Sequence, residues 1–124
     1  MTESTFHRIC VAGASGRMGR MLIEAVSAAD DCQLSGALDV PDSPALGQDP
    51  AAFLGQASGV VIQADLCAGL QASQTLIDFT RPEGTLAHLQ ACRELGVNAV
   101  IGTTGFSDAQ KLHIAEIAKD IAIV

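Results

Sequence analysis

Residues 8–23 read RICVAGASGRMGRMLI, and this stretch decides the fold. A short apolar run, residues 9–12, meets Gly13, Gly16 and Gly19. The chain then continues with Met18, Met21, Leu22, Ala25 and Val26 at helical spacing. A strand that breaks on glycines and becomes a helix is the opening of a dinucleotide-binding unit. The three glycines have separate physical reasons. Gly13 allows a tight turn with positive φ. Gly16 lacks a Cβ, so a pyrophosphate can come close to the chain. Gly19 lets the helix pack near the strand. The helix N-terminus offers unpaired N–H groups and a partial positive charge to phosphates. The spacing is G-x-x-G-x-x-G rather than the usual G-x-G-x-x-G, because Ser15 replaces the middle glycine. A glycine-rich turn can also be purely structural, so the rest of the chain has to decide between the two.

The composition is compatible with such a unit. The chain has 124 residues, the size of one domain, with 48% hydrophobic and 17% charged residues. Aromatics are only 3%. The core must therefore be built from Ala, Val, Ile and Leu, which suits a parallel sheet covered on both faces. A net charge of −7 argues against nucleic acid or an anionic membrane as the main partner. It leaves a dinucleotide open, since helix N-termini bind phosphate without many cations. Cys10, Cys32, Cys67 and Cys92 show no CxxC spacing, so free thiols in a reducing cytoplasm are expected rather than a zinc site or disulfides. No secretory leader opens the chain and no apolar run is long enough for a membrane span, which predicts a cytoplasmic protein. Residues 1–7 read as a frayed polar start.

Alternating signals follow. Residues 33–38 read as a second strand that ends at Asp39, twenty residues after Gly19. An acid there hydrogen-bonds the adenosine ribose in dinucleotide folds, although Asp39 also begins the turn-like segment 40–44. A carboxylate repels a 2′-phosphate, and Val40 supplies no cation beside it. The pair predicts NAD(H) over NADP(H). Asp49 and Pro50 read as the start of a short helix over 51–54. Residues 59–63 suggest a third strand, and Asp65 a possible cap for one helical turn. Residues 76–79 form a strand. Thr80 and Glu83 have capping-box spacing, and Pro82 fits a first helical turn. That helix runs to Leu95 and ends at Gly96. A strand over 97–101, a loop at 102–105, a helix to Lys119 begun by the Ser107/Gln110 capping box, and a strand start at 121–124 complete the pattern. The order predicts an α/β fold, a Rossmann-like doubly wound parallel sheet with helices on both faces. The first glycine turn, Asp39, the 79–81 turn and the 102–105 loop then share one sheet edge, where ligands bind in such folds.

Three segments together carry a family resemblance: GASGRMGR at 13–20, IDFTRPEGT at 77–85 and VIGTTGF at 100–106. The chain resembles the N-terminal domain of bacterial 4-hydroxy-tetrahydrodipicolinate reductases, enzymes of diaminopimelate and lysine biosynthesis, over nearly its whole length. The resemblance implies that Gly13, Ala14, Ser15, Gly16, Arg17 and Met18 wrap the pyrophosphate. It implies that Asp39 holds the adenosine ribose and that Thr80 and Arg81 line the cofactor cleft. It also implies that Gly102, Thr103 and Thr104 approach the nicotinamide side through backbone and hydroxyl groups. Family members often accept both NADH and NADPH, with an arginine after the acid. Here that residue is Val40, so NAD(H) is expected as preferred and NADP(H) as possible, with Arg17 a partial compensation. The family's enzymes are about twice this length. A second domain carries their substrate site, catalytic histidine and lysine, and homotetramer contacts. Residues 1–124 are thus expected to be the dinucleotide-binding domain, inactive alone. The dicarboxylate substrate, a cyclic imine type, is bound only with the missing domain.

His7, His88 and His113 lie beside no nucleophile and at no metal-ligand spacing, so they are expected on the surface or on helix faces. Asp78 is expected to bond backbone N–H groups of its turn. A non-catalytic NAD(H) sensor is the alternative function. Another two-domain reductase, such as a homoserine dehydrogenase, is disfavoured by the DFTRPEGT and GTTGF pair.

Overall fold

The computed structural model describes residues 6–124. Residues 1–5 of the expected polar start lie outside the described residues. The remaining part of that start is ordered: β1 (His7–Ala12) begins at His7, whose Nε2 lies 2.7 Å from the Thr75 hydroxyl. The chain continues through α1 (Arg17–Ala28), β2 (Cys32–Leu38), a 3-10 turn (Ala52–Leu54), β3 (Ile62–Gln63), α2 (Leu66–Leu70), β4 (Thr75–Asp78), α3 (Pro82–Leu95), β5 (Asn98–Ile101) and α4 (Asp108–Ile117). The strands form one sheet of order β3-β2-β1-β4-β5, and every pairing is parallel.

β1 is the central strand, and its alternation separates two cores. Ile9 and Val11 point to one face, where they meet Ile23 and Val26 of α1 together with Leu34, Ala37 and Ile62. Cys10 and Ala12 point to the other, which holds Leu70 of α2, Leu89 and Cys92 of α3 and Ile117 of α4. Burial on both faces is what the Ala-, Val-, Ile- and Leu-rich composition requires. All four cysteines are free thiols. Burial pushes the Cys92 thiol up to about 12, with the Asp78 carboxylate a smaller contribution in the same direction, so it is an inert core residue.

Several elements depart from the sequence expectation for local reasons. The third strand shrinks to two residues, because the segment before it is organised around Asp49 instead. That carboxylate accepts hydrogen bonds from the N–H groups of Ala51, Ser58 and Gly59 and from the Ser58 hydroxyl. The Thr80/Glu83 capping box does not form. Pro82 occupies the first turn of α3 and holds Arg81 extended as N-cap (φ −127°, ψ 156°), while Asp78 takes the Thr80 hydroxyl. The Ser107/Gln110 box does form, with both reciprocal bonds present. Gly96 ends α3 in the left-handed region at φ 73°. Leu112 of α4 is exposed. The last residues align beside β5 through a parallel bridge between Ala99 and Ile123.

The register of β1 on β2 shifts between Ile9 and Cys10, which sets Gly36 opposite Cys10. A Cβ on Gly36 would stand 2.0 Å from the Gly69 carbonyl oxygen of α2. Gly36→Ala is therefore expected to destabilise the fold by about 2–3 kcal/mol, measured by urea unfolding; a wild-type midpoint would contradict this packing.

Candidate functional site

The C-terminal ends of β1, β2 and β4 open into a cleft of about 770 Å³. Its middle is the glycine turn. Gly13 has φ 72°, in the left-handed region, and reverses the chain. A Cβ on Gly19 would stand 1.9 Å from the Gly13 carbonyl oxygen, so α1 reaches the strand end only because residue 19 is glycine. Residue 16 differs: a Cβ there would meet only the Gly13 carbonyl at 3.4 Å. Packing does not demand glycine at 16, which leaves that surface open to the cleft.

The turn's N–H groups are divided between protein and cleft. Ala14 donates to the Leu38 carbonyl, Ser15 to Asp39, and Gly16 to the Gly13 carbonyl. Arg20 donates to the Gly16 carbonyl and starts the helical ladder. Arg17, Met18 and Gly19 are the first-turn amides of α1, and the N-cap Gly16 has no side chain to satisfy them. Arg17, Met18 and Gly19 also line the cleft. The donors available to an anion are thus those of residues 17–19 rather than 14–16.

Asp39 follows β2 and lines the same cleft. Its Oδ2 accepts both the N–H (3.0 Å) and the hydroxyl of Ser15, and its Oδ1 accepts the Val40 N–H at 2.9 Å. The serine that looked irregular in the glycine motif is therefore the partner of the acid. Sequence reasoning missed this pair, because the two residues lie 24 positions apart and only parallel pairing of β1 with β2 brings them together.

The far wall comes from β4 and α3. Phe79, Thr80 and Arg81 line it with Glu83, Gly84, Ala87 and His88. Asp78 lies beneath them with a fully buried side chain. As expected it accepts the Thr80 N–H, at 3.0 Å to Oδ1, and the same oxygen accepts the Thr80 hydroxyl at 2.6 Å. Its Oδ2 also faces Nδ1 of His88 at 2.6 Å. His88 is therefore not a bland helix-face residue. Burial pushes the Asp78 carboxyl up, but the hydrogen bonds from His88 and Thr80 and the interaction with the imidazole outweigh it and hold it below the ordinary 3.8. The signal that could have exposed this pair is spacing: His88 sits two turns into a helix that begins right after the Asp78 turn.

Gly102, Thr103 and Thr104 follow β5 and stand outside the cleft wall. The Phe79 ring lies against Gly102, so closely that a Cβ on residue 102 would overlap it at 1.8 Å. The Gly102 N–H donates to the Asp78 carbonyl at 2.8 Å. The Thr103 hydroxyl is buried against Thr85 Oγ1 at 2.8 Å and the Asp78 carbonyl at 3.4 Å. It is engaged inside the protein here and does not face the cleft, unlike the expectation for a hydroxyl contact with nicotinamide. Thr104 is exposed. Among the described residues no group of histidine, cysteine and acidic side chains could hold a metal, and no helix is long and apolar enough to cross a membrane.

Residues 7–124 match the family model for dihydrodipicolinate reductase, N-terminus. The chain belongs to this family. Two proteins named 4-hydroxy-tetrahydrodipicolinate reductase show how close the relation is. The one from Cupriavidus taiwanensis is 64% identical over 116 residues, covering 94% of this chain and 44% of the relative. The one from Nitrosomonas eutropha is 52% identical over 120 residues, covering 97% and 45%. The chain thus spans less than half the length of these curated relatives. Among solved structures, a dipicolinate-bound dihydrodipicolinate reductase from Paenisporosarcina sp. matches with a TM-score of 0.71 at 24% identity, over 91% of this chain and 43% of that one. A UDP-glucuronic acid 4-epimerase from Bacillus cereus in complex with NAD matches at 0.62 and 14%, over 94% and 54%. These two likenesses show the shared fold. The dihydrodipicolinate reductase family membership rests on the sequence.

The depressed Asp78 carboxyl stabilises the fold above its unfolded-state value near 3.8, and that contribution disappears as the pH falls through the lower folded-state value. Asp78→Asn is expected to lose about 3 kcal/mol at pH 7, with the gap to wild type narrowing below pH 3.8. Urea titrations at several pH values check this; a gap independent of pH would contradict it.

Proposed function

We propose that this chain is the dinucleotide-binding part of a 4-hydroxy-tetrahydrodipicolinate reductase. The observation that carries the reading is the convergence in one cleft of the glycine turn, the open first turn of α1 and Asp39. Family membership favours this over a sensor module. The pyrophosphate lies along Gly13, Ala14, Ser15, Gly16, Arg17 and Met18, with the amides of 17–19 as donors. Asp39 receives the adenosine ribose hydroxyls on the lone pairs that Ser15 and Val40 leave free. Thr80 and Arg81 bound the cleft beyond the turn. The 102–104 loop serves the nicotinamide end through its backbone.

When bound, the reduced nicotinamide supplies a hydride to the cyclic imine-type substrate. This chain's residues hold and orient the donor. The groups that bind substrate and deliver a proton belong to the further length that the relatives possess, as does assembly into a homotetramer. Residues 1–124 are in this reading one cofactor domain of that longer protein.

The cofactor preference follows from charge. A 2′-phosphate would stand beside the Asp39 carboxylate, and the neighbouring Val40 is a 57% exposed apolar side chain with no compensating cation. NAD(H) is preferred, and Arg17 at the cleft rim leaves NADP(H) as a weaker ligand. Titration calorimetry is expected to show NADH binding about tenfold more tightly than NADPH. Asp39→Ala should weaken NADH by about tenfold and NADPH by less. Equal or reversed affinities would overturn the role given to Asp39 and Val40.

A further inference from the structure

We propose that Asp78 is a positioning residue of the cofactor cleft that acts through His88, fixing the imidazole so that Nε2 receives the adenosine end of the ligand. The proposal rests on the dinucleotide reading above and adds a contact to it. An ionised carboxylate only accepts hydrogen bonds, so the 2.6 Å contact between Asp78 Oδ2 and His88 Nδ1 is an Nδ1–H donation. The remaining nitrogen, Nε2, is then the ring's free hydrogen-bonding atom, an acceptor in the neutral imidazole and a donor in the imidazolium. Among the described residues no buried side-chain nitrogen or oxygen lacks a partner, and no protein group bonds Nε2. Nε2 is therefore open to solvent, and His88 lines the cleft. Gly84, one turn earlier, keeps this wall low: even a Cβ there would stand 3.8 Å from His88 Cε1.

The apolar side chains that line the cleft include Leu38, Val40, Pro41, Ala64, Leu66 and Ala87. α2, which carries Leu66, packs against both β2 and α3. A cleft that combines these apolar side chains with Asp39 and one fixed imidazole nitrogen fits the flat base and polar edge of an adenosine. Asp78 holds the neighbouring loop as well. Its main-chain carbonyl accepts the Gly102 N–H and the Thr103 hydroxyl, while Thr85 bridges Thr103 and Thr80 at 2.8 Å and 3.4 Å. One buried residue thus sets both the imidazole in the cleft and the loop after β5.

The test uses this chain with ADP and NADH as probes. Nitrogen-15 NMR of the wild-type protein is expected to show His88 as the Nδ1–H tautomer, with the Nε2 resonance moving on saturation with ADP. Asp78→Asn is expected to mix the tautomers and to weaken both probes by about tenfold. That variant removes a buried carboxylate, so His88→Asn is the second one. It keeps a donor facing Asp78, removes the group at Nε2, and should weaken ADP by about tenfold with a near-wild-type melting temperature. A wild-type Nε2–H tautomer, an Nε2 resonance unmoved by ADP, or unchanged ADP affinity in folded His88→Asn would each overturn the proposal while leaving the dinucleotide reading intact. A wild-type chain that binds neither probe would overturn that reading itself.

Discussion

The close approach of α1 to the end of β1 is the constraint on which the site depends. Gly19 lies against the Gly13 carbonyl with no room for a methyl group. That contact aims the first turn of α1 across the ends of the central strands. It also lets Ile23 and Val26 reach the face formed by Ile9 and Val11. The same backbone feature therefore assembles one half of the core and points three unpaired amides into the cleft. Helix propensity alone would not achieve this, since a glycine in the opening turn of a helix costs stability. It persists because the geometry admits nothing larger at residue 19.

Two buried or half-buried acids then tie the loops around that turn. Asp39 binds the Ser15 amide and hydroxyl and so joins the end of β2 to the turn after β1. Asp78 binds Thr80 and His88 through its side chain and the 102–104 loop through its carbonyl. Each acid follows or ends a parallel strand. There the carboxylate meets amides and hydroxyls from neighbouring loops instead of a sheet partner. The arrangement keeps two negative charges at the rim of the cleft, each held in place by hydrogen bonds from neighbouring loops.

Much of the fold was legible in the sequence. The strand, glycine turn and helix at 8–23 have a spacing that only a few backbone paths satisfy. The capping box at Ser107 and the stop at Gly96 are local signals whose partners lie within four residues. The expectation failed where a residue's partner was distant. The Thr80/Glu83 box lost to Asp78, and the third strand shortened around Asp49. The edge-lining residues Gly13, Asp39, Thr80 and Arg81 could be placed on one rim because parallel strands put all their C-terminal ends together. Their side-chain directions could not be placed in the same way.

The sequence by itself determined the class of fold, the position of the phosphate-type turn and the family, because these depend on periodicity and on motifs of a few adjacent residues. Only the tertiary structure decided what Ser15, His88 and Thr103 do. Ser15 anchors Asp39, His88 anchors to Asp78, and Thr103 turns inward to Thr85. The reason is physical: hydrogen-bond partners 10 to 24 positions apart are brought within reach only when sheet order and helix packing are fixed.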